Sequence, residues 1–243
     1  RIVVAGGTTN FTVAATGDGA LAYQWQKNQV NLANGGHYSG VTSPTLTITG
    51  ADASDAGDYR CIVTGGCGSA TSAEATLSVC TTPALTNPSF EGGNSGGVAA
   101  GWTGYQRPPN PTTVWSIQTA SPPSGGGLQY QQIANTSSTG GGGVRQNITG
   151  CTPGATYRIS GWMRGNSTYA TCRVRVSPTA STSWSTAVDL NPPAVYSGST
   201  WTAFSGTVVA TSTNMTLWLD GQTGGTGLNK AECFDAITVT CEP

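Results

Sequence analysis

The sequence predicts an all-β protein made of two β-sandwich domains. Charged residues make up only 9% of the 243 residues, compared with about 25% in an average globular protein. Thr, Val and Gly recur in short alternating runs separated by turn clusters, a pattern that is typical of strands. No segment shows sustained helical periodicity. We expect a first domain over 1–80, a short linker over 81–84 and a second domain over 85–243.

Composition also excludes several classes of function. The formal net charge is −1 and no basic stripe is present, which argues against a nucleic-acid partner. No apolar run approaches the roughly 20 residues of a membrane span. The chain has no signal peptide and begins inside an expected strand, so we expect a fragment of a longer polypeptide that is covalently linked to further domains.

Cysteine use indicates the compartment. The chain has seven cysteines and one histidine, and no two cysteines form the tight pair that zinc sites favour. Disulfides in an oxidising compartment are therefore the preferred interpretation. We expect a secreted protein located outside the cell or at the cell surface.

The first domain follows the spacing of an immunoglobulin sandwich. Tyr23 and Trp25 share one face of a strand, and Tyr59 lies two residues before Cys61. A buried Trp followed by a Tyr in this position relative to a Cys is the signature of that fold and its tyrosine corner. The segment resembles the immunoglobulin-like repeats of bacterial secreted and surface proteins. The resemblance implies a spacer with no chemistry of its own.

The second domain carries four motifs in order along the chain. They comprise an opening Asn87, Phe90 and Glu91, then Trp102, a central run from Pro153 and Gly154 to Tyr157 and Trp162, and a closing Phe234 and Asp235. Together these motifs resemble the jelly-roll carbohydrate-binding modules of the family-four, nine and twenty-two group. The resemblance implies a β-sandwich jelly roll that binds a polysaccharide or glycan without catalysis.

Strand parity predicts where a sugar binds. Several strands place planar or polar side chains opposite their apolar face, and if these strands share a sheet they form one surface. Indoles stack on the apolar face of a pyranose ring, while Arg, Gln and Asp pair with hydroxyl groups. The predicted ligand-binding residues are Trp162, Trp218, Arg173, Arg175, Gln131 and Asp220.

Two carboxylates near the ends of the second domain form a predicted metal site. In a jelly roll the first and last strands are near neighbours, which brings Glu91 close to Asp235. The resembled modules hold a structural calcium there, and Ca²⁺ takes carboxylates together with backbone carbonyls. Paired carboxylates also serve as acid and nucleophile in glycosidases. We reject that alternative because both lie in strand motifs at an expected sheet edge, not in an aromatic cleft, so no catalytic residue is predicted.

Strand pairing predicts the disulfides. If residues 157–164 run antiparallel to residues 234–240, Cys151 falls near Cys241 and Cys172 falls near Cys233. The strand that normally provides a partner for Cys61 has none, so a local bridge from Cys61 to Cys67 is expected. Cys80 is left unpaired in this arrangement. The alternative pairs Cys80 with Cys241 and joins the two ends of the second domain.

Two functions follow, with different consequences. The leading hypothesis is non-catalytic glycan binding by the second domain of a larger secreted or surface protein, with the first domain as spacer. The alternative is a structural or adhesive array of β-sandwiches in a bacterial surface protein or fibre, without a glycan ligand. Aromatic side chains would then pack at interfaces between domains.

Overall fold

The computed structural model describes most of the chain and divides it into two compact units. One unit comprises Arg1–Thr81 and the other Thr82–Glu242. Among the described residues, no helix is long and apolar enough to cross a membrane. The structure describes residues 1–107, 113–120, 122–124, 126–135, 141–165, 170–190, 200–223 and 230–242.

The first unit consists of two sheets formed by nine short strands. One sheet has the order β1-β9-β7-β3-β4, with β8 also paired to β7, and the other has the order β2-β6-β5. A single 3₁₀ turn, Ala53–Asp55, precedes β7. The strands are β1 Ile2–Val4, β2 Thr8–Thr12, β3 Ala22–Lys27, β4 Val30–Asn31, β5 Tyr38–Ser39, β6 Thr45–Thr49, β7 Gly57–Gly65, β8 Gly68–Thr71 and β9 Ala75–Cys80.

The core of this unit has the predicted immunoglobulin features. Trp25 is buried and its indole N–H donates to the carbonyl of Ser43 at 2.9 Å. The Tyr59 hydroxyl donates to the carbonyl of Asp55 at 2.7 Å, which is the tyrosine corner. Phe11 stacks on Tyr59 with ring centroids 5.0 Å apart. The spacing of the aromatic residues therefore predicted this fold correctly.

The second unit is a sandwich of two five-stranded sheets. The sheet called here sheet I has the order β12-β15-β20-β17-β18, sheet II has the order β13-β14-β21-β16-β19, and β10 and β11 form a separate hairpin. The strands are β10 Asn94–Ser95, β11 Val98–Ala99, β12 Thr103–Arg107, β13 Thr113–Gln118, β14 Tyr130–Asn135, β15 Gly141–Thr149, β16 Thr156–Gly165, β17 Ala170–Ser177, β18 Val188–Asp189, β19 Thr202–Val209, β20 Asn214–Thr223 and β21 Lys230–Cys241.

Apolar side chains of the two sheets face each other between the layers. In sheet I, Val144 lies in register with Leu219, and Val174 follows on the next strand. In sheet II, Ile159 lies in register with Val239, and all five residues are buried. Side chains alternate along a strand, so the residues between these apolar positions point to the outer face of each sheet. The predicted all-β class is confirmed.

The disulfides differ from the leading prediction. Cys80 and Cys241 are disulfide-bonded, while the other five cysteines are free thiols, so the bond joins Cys80 to Cys241. The predicted Cys151–Cys241 bond is wrong, although the strand pairing behind it is correct, with Tyr157 opposite Cys241. Cys151 follows β15 of the other sheet, and its backbone N–H donates to the carbonyl of Thr213.

The other two predicted disulfides are also wrong. Cys61 is fully buried in the core, whereas Cys67 is exposed in the turn of the β7–β8 hairpin. Their thiols therefore lie in different environments. Cys172 in sheet I and Cys233 in sheet II are near each other, since Cys233 adds to the rise in the pKa of the Cys172 thiol that burial causes, but both thiols are free. Cys233 lies in register with Arg164. Burial raises the pKa of the Cys233 thiol to about 11, opposed by hydrogen bonds with Arg164 and Gln132.

Candidate functional site

The outer face of sheet I holds a row of basic and aromatic side chains. Arg145 on β15, Trp218 on β20 and Arg175 on β17 lie in register across three neighbouring strands. Asp220 and Arg173 form the next row on the same face. We call these five residues the arginine face. Adjacent strands are about 4.8 Å apart and alternate residues roughly 6.7 Å apart, so three guanidinium groups share a small area.

Trp218 forms the floor of the arginine face. Its side chain is 1% exposed, because the edge of Tyr105 meets the indole with ring centroids 4.8 Å apart and the Arg145 guanidinium lies 5.1 Å from the ring centroid. A cation over an indole is attracted by the negative potential of the ring face. Parity correctly predicted that Trp218 points away from the core, but the prediction of an accessible stacking surface is wrong.

Two arginines anchor residues 178–189 on this face. Arg175 forms an ion pair with Asp189 at 3.0 Å, lies 4.2 Å from the ring centroid of Trp184 and donates to the carbonyl of Trp184 at 3.0 Å. Arg145 donates to the carbonyl of Thr182 at 3.1 Å. The charge of Arg175 is thus matched within the protein, and its guanidinium acts as a structural link.

Asp220 is the buried carboxylate of the arginine face. It is fully buried and accepts a hydrogen bond from the Tyr105 hydroxyl at 2.8 Å. Arg173 lies opposite it in register on β17. Because Asp220 is covered by Tyr105, it contributes negative charge below the surface and does not offer an accessible acceptor to a ligand.

A polar groove opens beside the arginine face. Its volume is about 190 Å³. The lining combines one guanidinium, one amide and three hydroxyl groups, which are the donors and acceptors that suit a polyhydroxylated ligand. The residues that line it are Thr103, Arg145, Asn147, Ala180, Thr182 and Thr216.

The predicted ligand-binding residues do not share one face. Trp162 lies on β16 of sheet II, half-buried and opposite Asp235, and is therefore separated from Trp218 by the thickness of the sandwich. Gln131 is 0% exposed and points between the sheets, where it accepts from the N–H of Ala99 and donates to the carbonyl of Gly97. The predicted single binding surface is wrong in these two positions.

Sequence reasoning missed Tyr105, Arg145 and the segment around Trp184. The signal for Arg145 was available, because β15 alternates buried Val144 and Ile148 with outward-facing Arg145. Nothing in the sequence places Tyr105 next to β20 or Trp184 next to Arg175 of β17, since both contacts depend on the tertiary fold.

The predicted metal residues do approach each other. Asp235 is 0% exposed and lies on β21. This is the central strand of sheet II, whereas the sequence analysis placed Asp235 at a sheet edge. One of its oxygens accepts from the N–H of Ala236 at 2.6 Å, while the buried Oδ2 has no hydrogen-bond partner in the described part of the chain. Burial, together with the negative charge of Glu91, raises the pKa of Asp235 to about 6.

A glycine loop closes over these two carboxylates. A Cβ atom at Gly126 would collide with Asp235, and one at Gly127 would collide with Glu91. Phe90 and Ala236, next to the carboxylates in sequence, both have positive φ angles, of 60° and 49°. A backbone held in this way beside an unpartnered carboxylate oxygen fits a cation that takes oxygen ligands.

A second titratable cluster lies in the first unit. His37 Nδ1 is 2.6 Å from Asp55 Oδ2, which also accepts from the N–H of Asp52 at 2.9 Å. Ligand atoms of all three residues lie within 4.8 Å of one another. Asp52 caps the 3₁₀ turn by accepting from the N–H of Ser54, so the hydrogen bonds of the turn explain this arrangement.

Comparison with known proteins identifies the two units. Residues 1–79 match the immunoglobulin I-set domain, and residues 82–227 match the family described as carbohydrate binding domain. A search of curated proteins finds no match.

Solved structures are similar in fold. The enzymatically active domain of tailspike protein 4 from bacteriophage CBA120 has 13% identity and a TM-score of 0.50, with 66% of this chain and 22% of that chain covered. The CBM22-1 xylan-binding domain of Paenibacillus barcinonensis Xyn10C has 15% identity, a TM-score of 0.43 and coverage of 63% and 90%.

The first unit has its own structural counterparts. The Ig1-2 module of the Drosophila receptor protein tyrosine phosphatase DLAR has 28% identity and a TM-score of 0.31, with 32% of this chain and 40% of that chain covered. This chain therefore spans less than half of both the tailspike and the receptor structures. Because the matched segment 82–227 is more than half of its length, the chain belongs to the carbohydrate binding domain family and carries an immunoglobulin I-set domain in front of it.

Proposed function

We propose that the second domain binds a glycan in the groove beside the arginine face without cleaving it, and that the first domain serves as a spacer. The observation that carries the proposal is the groove itself. An amide, three hydroxyl groups and a guanidinium surround a space of about 190 Å³ on the outer face of sheet I. Sugar hydroxyl groups require this mixture of donors and acceptors.

The composition of the groove favours binding over hydrolysis. Glycoside hydrolysis usually requires two carboxyl groups that flank the scissile bond. The six lining residues include no Asp or Glu, and the nearby Asp220 is covered by Tyr105. Glu91 and Asp235 belong to sheet II and the loop above it, away from this groove.

We propose further that Glu91 and Asp235 hold a structural Ca²⁺. The unpartnered Oδ2 of Asp235 and the proximity of a second carboxylate support this role. The ion would neutralise the two carboxylates and fix the Gly126–Gly127 loop. The ion would contribute to stability and not to glycan affinity, since the two carboxylates are on the side of sheet II and the groove is on the outer face of sheet I.

The binding proposal is tested by filling the groove. Thr103 is exposed at its edge, and Thr103→Trp places an indole in the space that a sugar ring would occupy. The matched control is Thr240→Trp, a similarly exposed strand threonine on the outer face of sheet II. Pull-down on insoluble polysaccharides and soluble glycan arrays should show binding by the wild-type chain and the control, and none by Thr103→Trp.

Three other outcomes would overturn the proposal. Equal binding by both variants would place the glycan elsewhere. No binding to any polysaccharide by the wild-type chain would favour the structural or adhesive array. Release of new reducing ends from a bound polysaccharide would contradict the non-catalytic role.

A further inference from the structure

The charge balance of the arginine face differs from that of the whole chain. The chain has a formal net charge of −1, but the arginine face carries three guanidinium groups. The carboxylates that balance them are that of Asp220, within the face, and that of Asp189, beside it. Asp189 is paired with Arg175 at 3.0 Å, and Asp220 lies opposite Arg173. One positive charge, that of Arg145, is left without a carboxylate among the residues that the structure describes.

Arg145 is also held in a fixed orientation. The indole of Trp218 lies beneath its guanidinium at 5.1 Å, and the carbonyl of Thr182 accepts one of its N–H groups at 3.1 Å. Guanidinium has five N–H donors, so most of them remain for a ligand. A donor group fixed before binding loses little conformational freedom when the ligand arrives.

We infer that the groove is selective for an acidic glycan, in which the carboxylate of a uronic acid pairs with Arg145. This inference rests on the proposed glycan-binding function and specifies its ligand class. The planar fork of a guanidinium matches a carboxylate with two parallel hydrogen bonds. Thr103, Asn147 and Thr216 surround Arg145 with neutral polar groups, and none of the described residues that line the groove is an Asp or Glu that would compete with or repel the carboxylate.

The arrangement also explains why a neutral sugar is the weaker candidate. Neutral pyranose rings usually bind by stacking on an exposed aromatic face. Among the described residues near this groove, the indole face of Trp218 is covered by Arg145 and Tyr105, and the indole of Trp184 lies against Arg175. The ligand therefore meets a guanidinium where a stacking site was expected.

The test compares polygalacturonate with its carboxyl-reduced form, using the whole chain and isothermal titration calorimetry. We expect wild type to bind the carboxylated polymer at least tenfold more tightly, with an affinity that falls as salt is added. Arg145→Gln should lose this preference, while Arg145→Lys should keep part of it because it keeps the charge. Arg158→Gln is the matched control, since Arg158 lies on the outer face of sheet II and pairs with Glu242 at 3.0 Å.

Each result decides the inference. Equal affinity for the two polymers, or an unchanged preference in Arg145→Gln, would overturn it while leaving glycan binding intact. Loss of the preference in Arg158→Gln would also overturn it, by showing a general effect of charge. Absence of binding to either polymer and to every neutral polysaccharide would overturn the proposed function as well. Melting curves of both Arg145 variants establish that each is folded.

Discussion

Asp55 in the first domain and Asp235 in the second are both buried, but their hydrogen-bonding requirements are satisfied very differently. Asp55 in the first domain is 1% exposed and receives the N–H of Asp52, the His37 ring and the Tyr38 hydroxyl. Burial raises its pKa, but these donors outweigh burial and lower it. Within the described part of the chain, Asp235 in the second domain has a single donor, and it has a negative neighbour and a raised pKa of about 6.

The difference separates a carboxylate whose charge is stabilised by hydrogen-bond donors from one whose charge is not. The donors around Asp55 stabilise its charged form and account for its position in the turn. Asp235 lacks such partners, which is costly for a buried charged group. A bound cation would supply the missing positive charge. The hydrogen-bond geometry shows the same difference, because Asp55 Oδ2 has donors and Asp235 Oδ2 has none among the described residues.

Calcium binding should have the largest effect. Saturating Ca²⁺ at about 100 times the dissociation constant raises the free energy of unfolding of the second domain by roughly 2.7 kcal/mol, because only the folded state binds the ion. Calorimetry of the whole chain in chelator and in Ca²⁺ measures this change. Asp235→Asn should abolish it. An identical melt in both conditions, with no metal by elemental analysis, would remove the calcium proposal.

Removing the charge should have opposite consequences in the two domains. Asp55→Asn replaces an acceptor oxygen by an amide donor and should destabilise the first domain by about 1–3 kcal/mol, since buried donors lose their partner. In chelator, Asp235→Asn should leave the second domain unchanged or more stable, because it removes repulsion by Glu91. Denaturant titration of the two variants provides the comparison. Equal destabilisation by both substitutions would contradict it.

Acid should weaken the first domain through Asp55. A carboxyl group with a lowered pKa in the folded state stabilises the fold above its unfolded value, and this contribution is lost as pH falls through the folded pKa. The melting temperature of the first domain should therefore begin to fall below a pH of about 4. Asp55→Asn should remove this dependence. If the melting temperatures of the wild type and of Asp55→Asn fall in parallel as the pH is lowered, Asp55 is excluded as the cause of the acid sensitivity.

The smallest effect is expected at His37. Its side chain is 35% exposed, and partly exposed ion pairs contribute about 0.2–1 kcal/mol. His37→Ala should therefore cost much less than Asp55→Asn. A double-mutant cycle of the two substitutions measures their coupling. If the coupling energy accounts for most of the destabilisation caused by Asp55→Asn, then His37, and not the backbone of the turn, is the main partner of Asp55.

Local spacing predicted the first domain well. Trp25 lies on β3, and Tyr59 and Cys61 lie on β7, so their spacing reflects contacts between two paired strands. Parity also identified the outward positions of Arg173, Arg175 and Trp218 correctly. These predictions required only that side chains alternate along a strand.

The candidate site was harder to predict because it depends on which strands are neighbours. Trp162 and Trp218 have similar local patterns but lie in different sheets. In β14, Gln131 is buried although a polar outward position was expected, and Leu128, just before the strand, is 76% exposed although a core position was expected. The amide of Gln131 is satisfied by backbone groups of residues 97–99, which no local pattern reveals.

The bond between Cys80 and Cys241 has a mechanical consequence. Tension applied at the two ends of the chain reaches Cys80, at the end of the first domain, and Cys241, near the end of the second, and the sulfur atoms connect these two points directly. Residues 81–240 thus form a closed loop that carries no load. Under stretching, the first domain would extend while the glycan-binding sandwich stays folded and able to hold its ligand, until the disulfide is reduced.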